Sequence, residues 1–149
     1  MKSRRSCREA ALQALYQFDT LGEYSPESFQ FFLDHFQSQK NLDDADESER
    51  VVADQFCREL VQGVVDNLDF IDAEISRASV HWSVPRMALV DRNILRIATF
   101  ELAFKRDVPR KVSINEAIEI SKRFSSPDAP MFINGVLDKI ASQIPEKKD

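Results

Sequence analysis

The chain has 149 residues, of which 43% are hydrophobic and 30% are charged, and its formal net charge is −5. That is enough apolar material for one packed domain, or for two small helical halves that share a core. Only three glycines occur, which argues against a β-rich fold with many tight turns, and good helix formers dominate the long segments. We therefore expect an all-α protein.

Membrane and secreted classes are disfavoured by the same composition. No apolar run approaches the roughly 18 residues that a membrane-spanning helix needs. The basic start at residues 1–5 leads into an amphipathic helix and not into the apolar core of a secretory signal. Cys7 and Cys57 are the only cysteines, and neither belongs to a CxxC pair. The simplest interpretation is a cytoplasmic protein with reduced thiols.

Charge is distributed unevenly along the chain. Residues 1–8 contain four basic residues and no acidic one, and residues 105–124 contain six basic and three acidic residues, so the rest of the chain is strongly acidic. Such a protein can attract a polyanion at one place while repelling it elsewhere. The alternative is that both basic segments are ordinary solvated stretches.

About seven helices are predicted, in two packed subdomains at about residues 1–80 and 81–144. Apolar residues at helical spacing place the helices at about residues 3–21, 26–36, 49–66, 68–79, 85–104, 113–123 and 130–142. Gly22 is placed to end the first helix, and Pro85 to begin the fifth. Ser113-x-x-Glu116 is typical of a capping box that opens the sixth. Residues 41–47 are acidic and polar, which predicts a surface loop.

Polar residues on the fifth predicted helix need an explanation. Glu101 lies on its apolar stripe, and a buried glutamate needs a hydrogen-bond partner, most simply a basic side chain or a helix N-terminus inside the protein. Arg92 and Arg96 are like charges four residues apart, which disfavours the isolated helix slightly. An acidic neighbour or a partner protein would relieve this repulsion; otherwise the pair belongs to a solvated face.

An enzymatic function finds little support. His35 and His81 are far apart in sequence, and neither has a cysteine or second histidine at metal-ligand spacing. No glycine-rich loop that could cradle a phosphate is present. We expect neither catalysis nor a metal or cofactor.

Aromatic and amide residues in the last third of the chain suit RNA binding. Phe124 and Phe132 flank a proline-containing turn, close to Lys122. An exposed aromatic ring beside a cation can stack on an unpaired base, which is worth ~1–3 kcal/mol. Asn134, which precedes Gly135, can hydrogen-bond to a base edge. The alternative is that the rings close the core and that the asparagine contacts a neighbouring helix.

Several motifs, in order along the chain, resemble those of the NusB family of bacterial transcription antitermination factors. The motifs are Arg8-Glu9-x-x-Leu12-Gln13-Ala14-Leu15-Tyr16, Trp82 to Arg86, Val90-Asp91-Arg92-x-Ile94-Leu95-Arg96-Ile97-Ala98, Val108 to Ile120, and Phe132 to Lys139. The resemblance covers nearly the whole chain and is weakest over residues 22–50. It implies two helical subdomains, no catalysis and no cofactor. It also implies a heterodimer with NusE, a small-subunit ribosomal protein, that binds boxA RNA and helps RNA polymerase read through terminators, notably in ribosomal RNA operons.

The resemblance also implies which residues bind. The implied RNA-binding residues are Lys2, Arg4, Arg5, Arg8, Lys122, Phe124, Asp128, Phe132 and Asn134. The residues implied to contact NusE are Tyr16, Asp91 and Arg92. Met131 departs from the family where a basic residue would favour RNA. Two other functions stay open: a helical protein–protein adaptor without RNA binding, and a stand-alone relative of the helical domain of ribosomal RNA methyltransferases. Homodimer formation is also left open.

Overall fold

The computed structural model describes residues 2–22, 27, 30 and 47–145, with side chains described for all of these except residues 2, 3 and 47–54. These residues form six α-helices and one 3-10 turn, and none of the helices is long and apolar enough to cross a membrane. The α-helices are α1 (Lys2–Leu21), α2 (Glu47–Asp66), α3 (Leu68–Ala78), α4 (Leu89–Phe104), α5 (Arg110–Phe124) and α6 (Ala129–Gln143). The predicted helix at residues 26–36 and the acidic loop at residues 41–47 lie largely outside the described residues.

The chain divides into two compact units, Met1–Val65 and Asp66–Asp149. The division falls earlier than the expected position near residue 80. The reason lies in α3, which contacts both α4 and α6 and so belongs to the second unit.

In the first unit, α1 and α2 bury the apolar stripes that their spacing predicts. The buried residues of these stripes are Ala11, Leu12, Leu15 and Phe18 on α1, and Phe56, Leu60 and Val64 on α2. Helix α1 ends at Leu21, and Gly22 follows with φ 71°. A positive φ of this kind is the usual C-terminal cap of a helix and favours glycine, which has no Cβ to clash. The predicted helix stop at Gly22 is therefore confirmed.

In the second unit, α4 is the central helix. Every residue from Asn93 to Ala103 is buried, and α3, α5 and α6 all contact this helix. A helix buried on all sides has no solvent-facing side for its polar residues, so these must find partners inside the protein.

Arg96 finds its partner on α3. Its Nε and Nη2 donate to the two carboxylate oxygens of Asp72, each at 2.9 Å, and its Nη1 donates to Asn93 Oδ1 at 3.1 Å. This two-pronged geometry is the strong form of an arginine–carboxylate pair. The interpretation of Arg96 as part of a solvated face was therefore wrong, and the acidic neighbour that would relieve its repulsion with Arg92 is Asp72.

Glu101 is satisfied by a residue to which the sequence assigned another role. Ser113 Oγ donates to Glu101 Oε1 at 2.9 Å, and both side chains are buried. The predicted capping box at Ser113 was wrong, because α5 begins three residues earlier, at Arg110. Pro109 precedes it with φ −59° and stands at the N-cap position, so Ser113 lies inside the helix and faces α4.

The start of α4 also differs from the prediction. Pro85 lies in a 3-10 turn, Val84–Arg86, and does not begin the long helix. Met87 and Ala88 then take extended ψ angles of 149° and 141°, so α4 begins only at Leu89. This irregular segment positions side chains that line the site described next.

Candidate nucleic-acid interface

The basic arm of the first unit begins α1. Arg4 and Arg8 both place their guanidinium carbons over the ring of Phe56, at 4.7 and 5.3 Å from its centroid. Arg5 is exposed, whereas Arg8 is only 2% exposed. The side chain of Lys2 lies outside the described side chains.

These positions divide the predicted arm into two kinds of residue. A cation over an aromatic face is held by electrostatic attraction, which is stronger when the pair is withdrawn from water. Arg8 is therefore part of the packing of the first unit, and its side chain is not presented to a phosphate. Arg4 and Arg5 are the described arm residues that a polyanion can reach.

In the second unit, Phe124 is the last residue of α5 and is 39% exposed. The guanidinium of Arg123 lies over that ring, 5.3 Å from the centroid. Lys122 is exposed, and its Nζ lies 3.4 Å from Glu119 Oε1. An exposed ring beside a guanidinium is a suitable stacking platform for an unpaired base.

A pocket of about 270 Å³ lies beside the N-terminal end of α6. Trp82 and Phe132 contribute aromatic walls, and Met87 adds apolar surface. Asp91 and Asp128 contribute carboxylates. Concave, mostly apolar surfaces with a few placed polar groups are the usual form of a ligand site.

The pocket combines residues that the resemblance implied for two different partners. Asp91 was expected at a NusE surface, whereas Asp128 and Phe132 were expected at an RNA surface, and all three line the same pocket. Ser125 Oγ donates to Asp91 Oδ1 at 2.5 Å, which ties the end of α5 to the start of α4. The two expected surfaces thus meet at Asp91.

The other predicted binding residues are also accessible. Arg92 is partly buried, and its Nη1 makes a long contact of 3.5 Å with the Val84 carbonyl. Tyr16, on the first unit, is 42% exposed. Asn134 and Gly135 are exposed on α6, and a Cβ placed at Gly135 would have no atom of the described chain within 4 Å. Close packing inside the described part of the chain therefore does not account for Gly135.

Trp82 and Arg86 line the pocket although neither belongs to the site residues predicted from the sequence. The amino-acid composition of the chain could have identified Trp82 as a candidate site residue. It is the single tryptophan of the chain and stands in a polar turn, where no helical stripe requires it for a core. Its indole is 56% exposed, which is unusual for so large an apolar side chain.

The described residues define an all-helical protein with an exposed aromatic surface. Among the described residues, no group of three or more histidine, cysteine, aspartate or glutamate side chains is placed to hold a metal ion. The chain belongs to the NusB family, whose model matches residues 5–142.

Curated relatives agree with this assignment over their whole length. Transcription antitermination protein NusB of Geotalea daltonii is 46% identical over 150 residues, which is 99% of this chain and 100% of that protein. The protein of the same name from Geobacter sulfurreducens is 44% identical over 148 residues, which is 99% of each chain. The expectation of a non-enzymatic protein agrees with a family whose curated members are transcription antitermination proteins.

Solved structures give the same result for the fold. NusB of T. maritima superposes with a TM-score of 0.79 at 36% identity, covering 95% of this chain and 92% of that one. A NusB chain crystallised with NusE and double-stranded RNA superposes with a TM-score of 0.78 at 27% identity, covering 96% and 98%. The prediction of an all-α NusB-like fold is confirmed.

Proposed function

We propose that this protein is a transcription antitermination factor that binds boxA-type single-stranded RNA together with NusE and promotes read-through by RNA polymerase, notably in ribosomal RNA operons. It acts by assembly and carries out no chemical step. Its place of action is the cytoplasm, where nascent RNA and ribosomal proteins meet in bacteria.

The observation that carries this proposal is the surface of Phe124, Asp128 and Phe132 in a chain of the NusB family. Phe124 lies at the end of α5 and Phe132 near the start of α6, so the two residues flank the turn between these helices. Aromatic rings with nearby amide and basic side chains are the means by which proteins read splayed-out RNA bases. The solved relative with both NusE and RNA supports the same two partners for this chain.

NusE is proposed to contact Tyr16, Asp91 and Arg92. Tyr16 is an exposed aromatic residue, of the type enriched at the energetic centres of protein interfaces. Acidic side chains suit a basic ribosomal protein, and such charge complementarity chiefly sets association rate and specificity. Because Asp91 also lines the pocket that contains Phe132, NusE bound there lies next to the RNA and is expected to strengthen RNA binding.

The test is fluorescence anisotropy of a labelled boxA-type RNA titrated with the protein, with and without NusE. We expect preference for boxA over a scrambled RNA of the same length, and tighter binding when NusE is present. Because the solved relative contains double-stranded RNA, a boxA duplex is included as competitor and is expected to compete less well than the single strand. Equal binding of boxA and scrambled RNA in both conditions contradicts the proposal.

One observation favours the adaptor alternative, in which the protein binds NusE but not RNA. Arg8 is buried, which leaves a basic arm shorter than the four residues that the sequence suggests. Recovery of NusE without RNA in a pull-down from the mixed components would support this alternative.

A further inference from the structure

The pocket beside α6 has charged residues on its lining in addition to the aromatic rings that could stack on a base. It is concave, and its lining combines two aromatic residues with two aspartates and Arg86. Two hydrogen bonds between Ser79 and the backbone of Trp82 fix the turn that carries Trp82. Ser79 Oγ donates to the Trp82 carbonyl at 2.9 Å, and Trp82 N donates to the Ser79 carbonyl at 3.3 Å. The indole is thus presented by a defined turn while it stays largely exposed.

We propose that this pocket receives one extruded nucleobase of the bound RNA, and that this base carries an exocyclic amino group. The inference rests on the proposed RNA-binding function and assigns a base-reading role to part of that surface. Trp82 and Phe132 supply aromatic surface for the base, because every nucleobase has a π face that stacks on such rings. Met87 supplies further apolar contact.

The carboxylates decide which base fits. An ionised aspartate only accepts hydrogen bonds. Cytosine, adenine and guanine each present an amino group with two N–H donors, whereas uracil presents one donor, N3–H, between two carbonyls that only accept and that repel a carboxylate. Ser125 orients Asp91 through one carboxylate oxygen, and a carboxylate has about four lone-pair sites, so acceptor capacity is left for a ligand. A base with an amino group is therefore favoured over uracil.

The lining carries two acidic residues and one basic residue, and Arg86 is the group on it that distinguishes a nucleotide from the cationic side chain of a partner protein. Arg86 on the lining repels a second cation and attracts the phosphodiester that accompanies an extruded base. Asp128 stands at the N-cap of α6, where the positive end of the helix offsets part of its charge. An uncharged ring that donates hydrogen bonds to the aspartates, with its phosphodiester next to Arg86, matches this arrangement.

Trp82 makes the test direct, because the protein has no other tryptophan. Its intrinsic fluorescence is recorded while unlabelled boxA-type RNA is added without NusE, and anisotropy of labelled RNA is measured in parallel. We expect the emission to be quenched with the same midpoint as the anisotropy change. Replacing the amino-bearing bases by uracil one at a time is expected to weaken binding roughly 5- to 150-fold at one position.

Two variants separate the pocket from the rest of the surface. Trp82→Leu is expected to lose affinity for the original RNA by roughly 5- to 150-fold and to lose sensitivity to the uracil substitution. Asp91→Asn keeps an acceptor for Ser125 but adds an amide donor, so discrimination against uracil at that position is expected to fall. Val80→Ala is the matched control, since Val80 is 76% exposed in the same turn and does not line the pocket. Circular dichroism melting checks that each variant folds as the natural protein does.

Each outcome separates this inference from the proposed function. If RNA binds with boxA preference but Trp82 emission is unchanged and Trp82→Leu binds normally, the pocket assignment is overturned and the proposed function stands. If emission changes with a tryptophan-free NusE in the absence of RNA, and RNA causes no further change, a protein side chain occupies the pocket and the assignment is again overturned. If no RNA binds with or without NusE, both fail.

Discussion

At the scale of single residues, the buried polar groups of α4 differ in how well they are satisfied. Arg96 and Glu101 have partners on α3 and α5. Thr99 is completely buried, and its hydroxyl has no hydrogen-bond partner among the described residues. A buried hydroxyl without a partner costs ~1–3 kcal/mol of desolvation.

Thr99→Val is therefore expected to raise the free energy of unfolding, by about 1 kcal/mol, because it removes the unsatisfied group and keeps the branched shape. Urea denaturation followed by circular dichroism measures the change. The matched control is Thr20→Val, whose hydroxyl is exposed and donates to the Tyr16 carbonyl at 2.9 Å. That variant should change stability by no more than about 0.5 kcal/mol. A loss of stability in Thr99→Val would contradict the argument.

Ser113→Ala tests the opposite case, a buried acceptor that loses a donor. Glu101 is buried and accepts from Ser113 Oγ, so removing the hydroxyl is expected to destabilise the protein by ~1–3 kcal/mol. Thermal or urea unfolding gives the magnitude. Ser142→Ala is the comparison, because Ser142 is exposed and its hydroxyl donates to the Lys139 carbonyl of its own helix. Similar small effects in both variants would show that the contact with Glu101 contributes little.

The same pair of residues shows what the sequence could and could not reveal. Helical spacing identified Glu101 as a buried residue that needs a partner, and this was correct. Its partner could not be deduced, because Ser113 matches a local capping pattern equally well. The choice depends on where α5 starts relative to α4, which is a tertiary property. Trp82 is a similar case, since its position in a turn carries no periodicity.

At the scale of elements, two glycines of the chain have opposite roles. Gly22 ends α1 with φ 71°, where a side chain is strained. Gly135 lies inside α6 with helical geometry, and no atom of the described residues lies within 4 Å of a Cβ built there, so glycine only adds backbone freedom to the unfolded chain. The same substitution should therefore have opposite signs at the two positions.

Gly22→Ala is expected to lower stability by about 1 kcal/mol, since alanine in the left-handed region costs ~1–2 kcal/mol. Gly135→Ala is expected to raise it by about 0.5–1 kcal/mol. Chemical denaturation of the two single variants, prepared side by side, gives both signs. Two changes of the same sign would mean that at least one of these backbone environments is different in solution.

At the scale of the whole molecule, the net charge of −5 means that the proposed RNA ligand must be directed to a few basic residues. The fold determines how many of these residues are available. Arg8 looks equivalent to Arg5 in the sequence, but Arg8 is buried against Phe56 whereas Arg5 is exposed. The sequence correctly predicts the fold class, but it cannot separate the two arginines, because their burial depends on contact with a distant helix.

The salt dependence of RNA binding measures this difference. Each phosphate contact to single-stranded RNA contributes about −0.7 to the slope of log K against log salt concentration. Arg5→Ala is expected to make the slope less negative by about 0.7, whereas Arg8→Met should leave the slope unchanged and lower stability instead. Anisotropy titrations at several salt concentrations, with melting curves for both variants, test this. A reduced slope in Arg8→Met would mean that Arg8 reaches a phosphate after all.

Arg110 joins the two ends of the α5–α6 pair. Its guanidinium, at the start of α5, donates to the carbonyls of Ala141 and Ile144 at 2.6 and 2.5 Å, which the end of α6 leaves without partners in the helix. The last turn of α6 can therefore fray only when its hydrogen bonds to Arg110, in the first turn of α5, break. Amide hydrogen exchange in the two turns should follow one shared opening free energy, although more than thirty residues separate them in sequence. Phe124 and Phe132 flank the turn that connects α5 to α6. Arg110 thus holds the same two helices together at the opposite end, where α5 begins and α6 ends.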